Sequence, residues 1–361
     1  MAKKMRVLVT GNEGYIGSVM APWLQSRGYE VMGIDNGYFA DCRLVPELGS
    51  IATVKKDIRE LAPSDLRGFD AVVHLAALSN DPIGNLNERW TKEINGDATV
   101  TLARLAKSAG VKRFVFSSSC IMYGMADSAT VDENSALAPQ TQYARSKVDA
   151  EMALRELASD DFSPTYCRNG TVYGLSPRMR FDTVLNNFMG GGFTTKRITI
   201  HSDGTPWRPV VHVRDVARAF ERVLEAPREA VHNEAFNIGA DELNWQIGAL
   251  AEAAASVIPG CEVVRLANAG ADQRTYKAKF AKLADRFPDF RFEWSVPKGA
   301  EELYLAFQRS QLTAELFTDK RFTRLKWLEH LLAEGALDRS LRWTHDERAG
   351  SIIETPALAS V

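Results

Sequence analysis

Short apolar runs alternate with amphipathic stretches through the first 120 residues of the 361-residue chain. The runs at Arg6–Thr10, Glu30–Asp35, Thr53–Lys55, Ala71–Leu75 and Arg113–Ser118 have the length and content of buried strands. Between them, Ser18–Arg27 and Trp90–Ala109 carry helical spacing. In the second, Ile94, Ala98, Leu102, Leu105 and Ala109 recur at steps of three and four. This alternation predicts an α/β fold, a parallel sheet with helices on both faces, because parallel neighbours need long crossovers. Ligands on such a sheet bind outside the carboxyl ends of the strands, near the point where strand order reverses.

A helix is predicted over about 140–159 and a strand at Pro164–Arg168. From Gly174 the character changes. "GLSPRMRFD" and "MGGGFTTKR" are predicted as loops bearing Arg178, Arg180, Lys196 and Arg197. Beyond about residue 240 the pattern is mostly helical, with Pro288 interrupting. Gln311–Trp343 is amphipathic through Leu316, Phe317, Leu325, Leu328, Leu331 and Leu332, and predicts a helical appendage packed on the body or on a partner subunit. Residues 344–361 are expected to be a loose tail.

Hydrophobic content of 45% and charged content of 25% are ordinary for a globular protein, and a net charge of −2 disfavours a nucleic-acid partner. Cys42, Cys120, Cys167 and Cys261 lie far apart without metal-ligand spacing, and the six histidines are scattered, so no metal is expected. The opening MAKKMRVLVT runs straight into a strand, with no signal peptide in it, and no apolar run approaches the roughly 20 residues of a membrane span. The expectation is a reduced, cytoplasmic protein with no membrane partner.

Chemistry enters with "TGNEGYIGS", directly after the first strand, which places glycines at 11, 14 and 17. A tight turn, a backbone close to a pyrophosphate and close helix–strand packing all need glycine there, and the helix that follows aims unpaired N–H groups at phosphate. Asp35 ends the second strand 24 residues after Gly11. A carboxylate there accepts from a ribose 2′-hydroxyl and repels a 2′-phosphate, which favours NAD over NADP. Asp57 and Ile58, after the third strand, are candidates for adenine contact. Leu75, Ala76 and Ala77 in "HLAALSND" leave the backbone room a dinucleotide needs. The fifth strand, ending in "FVFSSSCIMYG", delivers serines to the same edge, and "QTQYARSKVD" sets Tyr143 and Lys147 four apart on one helical face.

Taken in this order and spacing, GNEGYIG, Asp35, HLAA, SSSCIMYG and YARSK resemble an extended short-chain dehydrogenase/reductase, and more narrowly its nucleotide-sugar epimerase/dehydratase branch, over roughly residues 5–300. The resemblance implies a Rossmann-type doubly wound parallel sheet with a smaller, mostly helical C-terminal substrate lobe. Residues 1–172, with a return segment of about 209–240, would bind NAD. Residues 173–208 and 241–310 would form the lobe, and 311–343 the appendage. The resemblance also implies that Tyr143 is the catalytic tyrosine, Lys147 its lysine and Ser119 the hydroxyl that polarises the substrate. Lys147 and an oxidised nicotinamide would draw the phenol down from its free value near 10. Tyr15, Ile16, Asn36 and Ser117 would join the cofactor site, and Asn95 would support the active-site backbone. A nucleotide-diphosphate sugar would meet Arg208 and Arg274 at its diphosphate, with Ser79, Thr171, Arg180 and Asn187 as further contacts. A homodimer is expected, since relatives often pair through their two long helices.

Departures from the family pattern narrow the reaction. Sugar 4,6-dehydratases carry an Asp-Glu pair just after the Ser/Thr, and glucuronate decarboxylases a Glu; this chain has Cys120 and Ile121. Cysteine-using relatives place the thiol two residues after the serine, not one, so Cys120 is expected to pack rather than react. Thr171 stands where the family usually has a diphosphate-contacting Asn. The leading expectation is an NAD-dependent C4 epimerase. A ketosugar reductase or dehydrogenase with exchangeable NAD(P)(H), using the same three residues, stays open, as does a non-catalytic NAD-binding scaffold.

Overall fold

The computed structural model describes residues 4–79, 81–124, 130–266, 275–345 and 352–354. Strands β1 (Arg6–Thr10), β2 (Glu30–Asp35), β3 (Ala52–Lys55), β4 (Ala71–His74) and β5 (Arg113–Ser119) build the centre of an eight-stranded sheet. Its order is Glu234–Ile238, Ser163–Asn169, β5, β4, β1, β2, β3 and Ile352–Glu354. All neighbours are parallel except the last pair. Strand order reverses between β1 and β4, with Val9 opposite Gly33 on one side and Val73 on the other.

Both faces of the sheet are covered, so its strands are apolar without alternation, yet the period of two still sorts their side chains. Val7, Val9, Val73 and Val115 pack with Met20, Leu24 and Phe220 on one face. Leu8, Val72, Phe114 and Phe116 pack with Leu102, Ala106 and Leu154 on the other. Helix α1 (Gly17–Ser26) covers the first face and Ala98–Ser108 the second.

The lobe has its own core around Met179, Leu185, Met189, Leu250, Leu303 and Phe307. Here one expectation is corrected: "MGGGFTTKR" is no loop, because Val184–Thr195 is a helix running through all three glycines. Two of them serve close packing. A Cβ on Gly190 would stand 2.5 Å from the Phe317 ring, and one on Gly192 would stand 2.8 Å from Ile258.

The appendage packs on the body of its own chain. Helices Ala314–Thr318 and Arg324–Ala333 carry it. Leu312 and Phe322 enter the lobe core, while Trp327, Leu328, Leu331, Leu337 and Leu341 enter the sheet core. The tail expectation also needs correcting, since Ile352–Glu354 pairs antiparallel with β3 and covers that edge. Among the described residues no helix is long and apolar enough to cross a membrane.

Candidate active site

A cavity of about 1150 Å³ opens at the carboxyl ends of β1, β2, β4 and β5, between the sheet and the lobe. Of the site residues expected from the sequence, all line it except Asn95 and Arg274. Arg274 lies outside the described residues. Asn95 is buried behind the wall, its side-chain amide bonded to both Leu78 N (2.8 Å) and Leu78 O (3.0 Å). It holds the strand-end loop in place and does not line the cavity, because both ends of its amide are spent on that backbone.

The glycine turn fits a diphosphate. Gly11 has φ +75°, and a Cβ there would lie 2.7 Å from Ala76 N. Gly17 presses on Gly11 O, so α1 starts flush against β1. No side chain caps the start of α1 and no acidic residue occupies its first turn, which leaves its N–H dipoles to the cavity. Asp35 is fixed by Gly37 N at 2.8 Å and Glu13 N at 3.0 Å. Burial raises the Asp35 carboxyl, and burial together with Asp35 lifts Glu13 to about 7. Asp57 is clamped by Arg59, with contacts of 2.9 and 2.6 Å.

Ser119 ends β5 and caps the short turn Cys120–Tyr123, accepting from Ile121 N at 3.3 Å. Thr141 caps the Gln142–Leu157 helix through Ala144 N at 3.1 Å and donates to Asp81 at 2.7 Å. That cap sets Tyr143 and Lys147 over the strand end. Lys147 Nζ donates to Ser117 O at 2.7 Å and lies 5.8 Å from the Tyr143 ring centre. Burial takes Lys147 down to about 8, with Glu151 opposing the drop.

At Tyr143 burial acts against the lowering expected from Lys147 and an oxidised nicotinamide. Desolvation pushes the phenol up to about 12, the Arg180 guanidinium opposes the rise, Asp81 adds to it, and the hydrogen bond with Ser119 opposes it. Arg180 thus joins Lys147 as a cation near the phenol. Arg180 grips Asp182 at 2.7 Å and Ser79 Oγ at 3.1 Å, tying lobe to sheet. Cys120 is buried, its Sγ donating to Arg168 O at 3.1 Å, and burial raises its thiol.

Farther out, Thr171, Asn187 and Arg208 face the cavity from the lobe side; Asn187 donates to Phe181 O at 2.9 Å and Arg208 to Trp207 O at 2.8 Å. Sequence reasoning missed a further wall made of Tyr38, Phe39, Thr323, Arg324, Leu325 and Lys326. Nothing local signals it, since the amphipathic pattern of 311–343 gives the buried face of the appendage but not what that face meets.

The family model described as "NAD dependent epimerase/dehydratase family" matches residues 7–239. A UDP-glucose 4-epimerase of Corynebacterium glutamicum is 28% identical over 66% of this chain and 76% of its own. Among solved structures, MoeE5 in complex with UDP-glucuronic acid and NAD is 26% identical at a TM-score of 0.73, covering 84% of this chain and 99% of its own. TunA, an NAD-dependent NDP-hexosamine 5,6-dehydratase, shares the fold at a TM-score of 0.75 and 24% identity, over 85% of this chain and 98% of its own.

Proposed function

The chain belongs to the NAD-dependent epimerase/dehydratase family, and from that premise we propose that it is a nucleotide-sugar 4-epimerase working through a transient 4-keto sugar. The observation that carries this reading is the convergence of Ser119, Tyr143 and Lys147 on the cavity that holds the glycine turn and Asp35. The relatives named above, which include a UDP-glucose 4-epimerase and a protein solved with UDP-glucuronic acid, support a UDP-sugar as substrate.

The dinucleotide would lie on Gly11, Gly14 and Gly17, with Asp35 accepting from its ribose. Bound NAD supplies the hydride acceptor, the returning donor and, while oxidised, a positive charge beside the phenol. Tyr143 Oη takes the proton of the sugar 4-hydroxyl and later returns it. Ser119 Oγ donates to the same sugar oxygen as it becomes a carbonyl. Arg180 opposes the rise in the phenol from the lobe side of the cavity, and Lys147 holds an ammonium 5.8 Å from the ring centre. Between the two halves the keto sugar turns its other face.

Reversible redox is favoured over elimination by the residues that follow Ser119. Ile121 brings an apolar side chain to the cavity and Cys120 is buried in bonding to Arg168 O, so neither offers a second acid. The test is incubation with UDP-, GDP-, dTDP- and CDP-sugars, with and without added NAD(H), followed by NMR and by absorbance of NADH. Epimer without net NADH is expected. Stoichiometric NADH without epimer would mean a dehydrogenase instead, and an unsaturated sugar would mean elimination. Tyr143→Phe is expected to lower turnover by about 10²–10⁴-fold; full turnover in that variant removes the tyrosine from proton transfer.

A further inference from the structure

We propose that Arg324, in the first turn of the appendage helix, grips the diphosphate of the bound dinucleotide, making residues 313–343 a strap that retains the cofactor. This rests on the NAD-binding reading above and extends it to a wall of the cavity that the family model, ending at residue 239, does not reach.

Arg324 is 1% exposed and lines the cavity. Its guanidinium donates to two carbonyls, Arg178 O at 2.7 Å and Arg321 O at 3.3 Å, and lies 4.4 Å over the Phe39 ring. These contacts orient the guanidinium without neutralising it, and a buried cation calls for an anion. Burial lowers Arg324 to about 10; Cys42 and Asp182 oppose the drop, and two neighbouring buried cations, Arg180 and Arg178, add to it. Those neighbours are answered by Asp182 and Glu47 respectively. Asp182 also accepts from the backbone N–H of Arg324 at 3.2 Å, and its charge, already bonded to Arg180, is shared with the Arg324 guanidinium.

The position suits the dinucleotide rather than the sugar. The guanidinium stacks on Phe39, four residues after Asp35, and so lines the cavity beside the segment that follows β2. Thr323 sets no side-chain cap on the Arg324–Ala333 helix, and no acidic residue sits in its first turn. The start of α1 carries no side-chain cap either and faces the same cavity, whereas the first N–H of the Arg324–Ala333 helix is already held by Asp182, so what this helix offers an anion is the buried guanidinium itself. The strap is anchored where the adenosine half would lie. Trp327 Nε1 donates to Tyr38 O at 2.6 Å, Trp343 Nε1 donates to Asn36 O at 2.7 Å, and the Tyr38 hydroxyl donates to Leu341 O.

The full-length protein and its Arg324→Gln and Arg324→Lys variants, stripped of nucleotide, are titrated with NAD, ADP-ribose, adenosine and UDP by calorimetry. Arg324→Gln is expected to weaken NAD and ADP-ribose by about ten- to a hundredfold, the range of a charge-assisted hydrogen bond, and to leave adenosine and UDP unchanged. Arg324→Lys, which keeps the charge, is expected to lose less. Unchanged NAD affinity in a folded Arg324→Gln, or a loss confined to UDP, overturns the proposal while leaving the cofactor reading intact. If the wild type itself binds no NAD, the cofactor reading fails and takes the proposal with it. Should Arg324→Gln not fold, hydrogen exchange on the wild type decides: ADP-ribose, but not adenosine, is expected to protect the peptide spanning 322–328, and equal exchange with both overturns it.

Discussion

Tyr143 and Lys147 are both set against their charged forms by burial, the phenol up to about 12 and the ammonium down to about 8. The spacing of the pair is legible in the sequence, since four residues on a helix fix one face. Its electrostatics are not, because the cation opposing the phenol's rise comes from Arg180 on a separate segment. Below about pH 8 the lysine is charged in both folded and unfolded chains, and the full burial penalty applies. As pH rises toward the unfolded value near 10.4, the folded chain sheds the proton first and the penalty is relieved. The wild type is therefore expected to gain stability relative to Lys147→Met between about pH 8 and pH 10, read as denaturant midpoints at each pH. A falling difference over that window would place the ammonium in a site that favours its charge.

At the scale of elements, the glycine-rich turn was legible because its chemistry is local: a tight turn, a positive φ and a close approach are all decided within a few residues. Gly17 is the most constrained. A Cβ there would press on Gly11 O and stand 2.6 Å from Asn12 Cα, so backbone must move to admit it. Gly17→Ala is expected to destabilise by about 1–3 kcal/mol through overpacking and to weaken NAD binding, measured by urea unfolding and nucleotide titration on the same sample. Wild-type values for both would mean the turn is more pliable than this packing implies. The second glycine cluster, at 190–192, illustrates the limit of the same reasoning. Three adjacent glycines favour a loop by local propensity, yet the segment is helical, with the Phe317 ring at Gly190 and the Ile258 side chain at Gly192 too close for a Cβ, so tertiary packing overrides the local preference.

Over the whole molecule, the alternation of runs implied a parallel sheet with helices on both faces, and the cavity lies at the carboxyl ends of its strands as such a sheet implies. What did not follow was the appendage's place. Trp327 meets Tyr38 across 289 residues and Trp343 meets Asn36 across 307, separations over which no periodicity carries information. Trp327 joins the sheet core and donates to the backbone directly after β2. Trp327→Ala is expected to destabilise by about 3–5 kcal/mol and to speed NAD release, followed by thermal melting and by the rate of cofactor loss. Slow release from a clearly destabilised variant would separate the strap from cofactor retention.

In the proposed reaction, hydride leaves C4 of the sugar and returns to the same carbon within one bound complex. UDP-glucose labelled with deuterium at C4, turned over in ordinary water, tests it directly by NMR and mass spectrometry of the products. The expected result is a C4 epimer that keeps the deuterium at C4, with none lost to water and no labelled reduced cofactor released. A C4 epimer that has lost its label, or a keto or unsaturated sugar formed alongside labelled cofactor in solution, would contradict it.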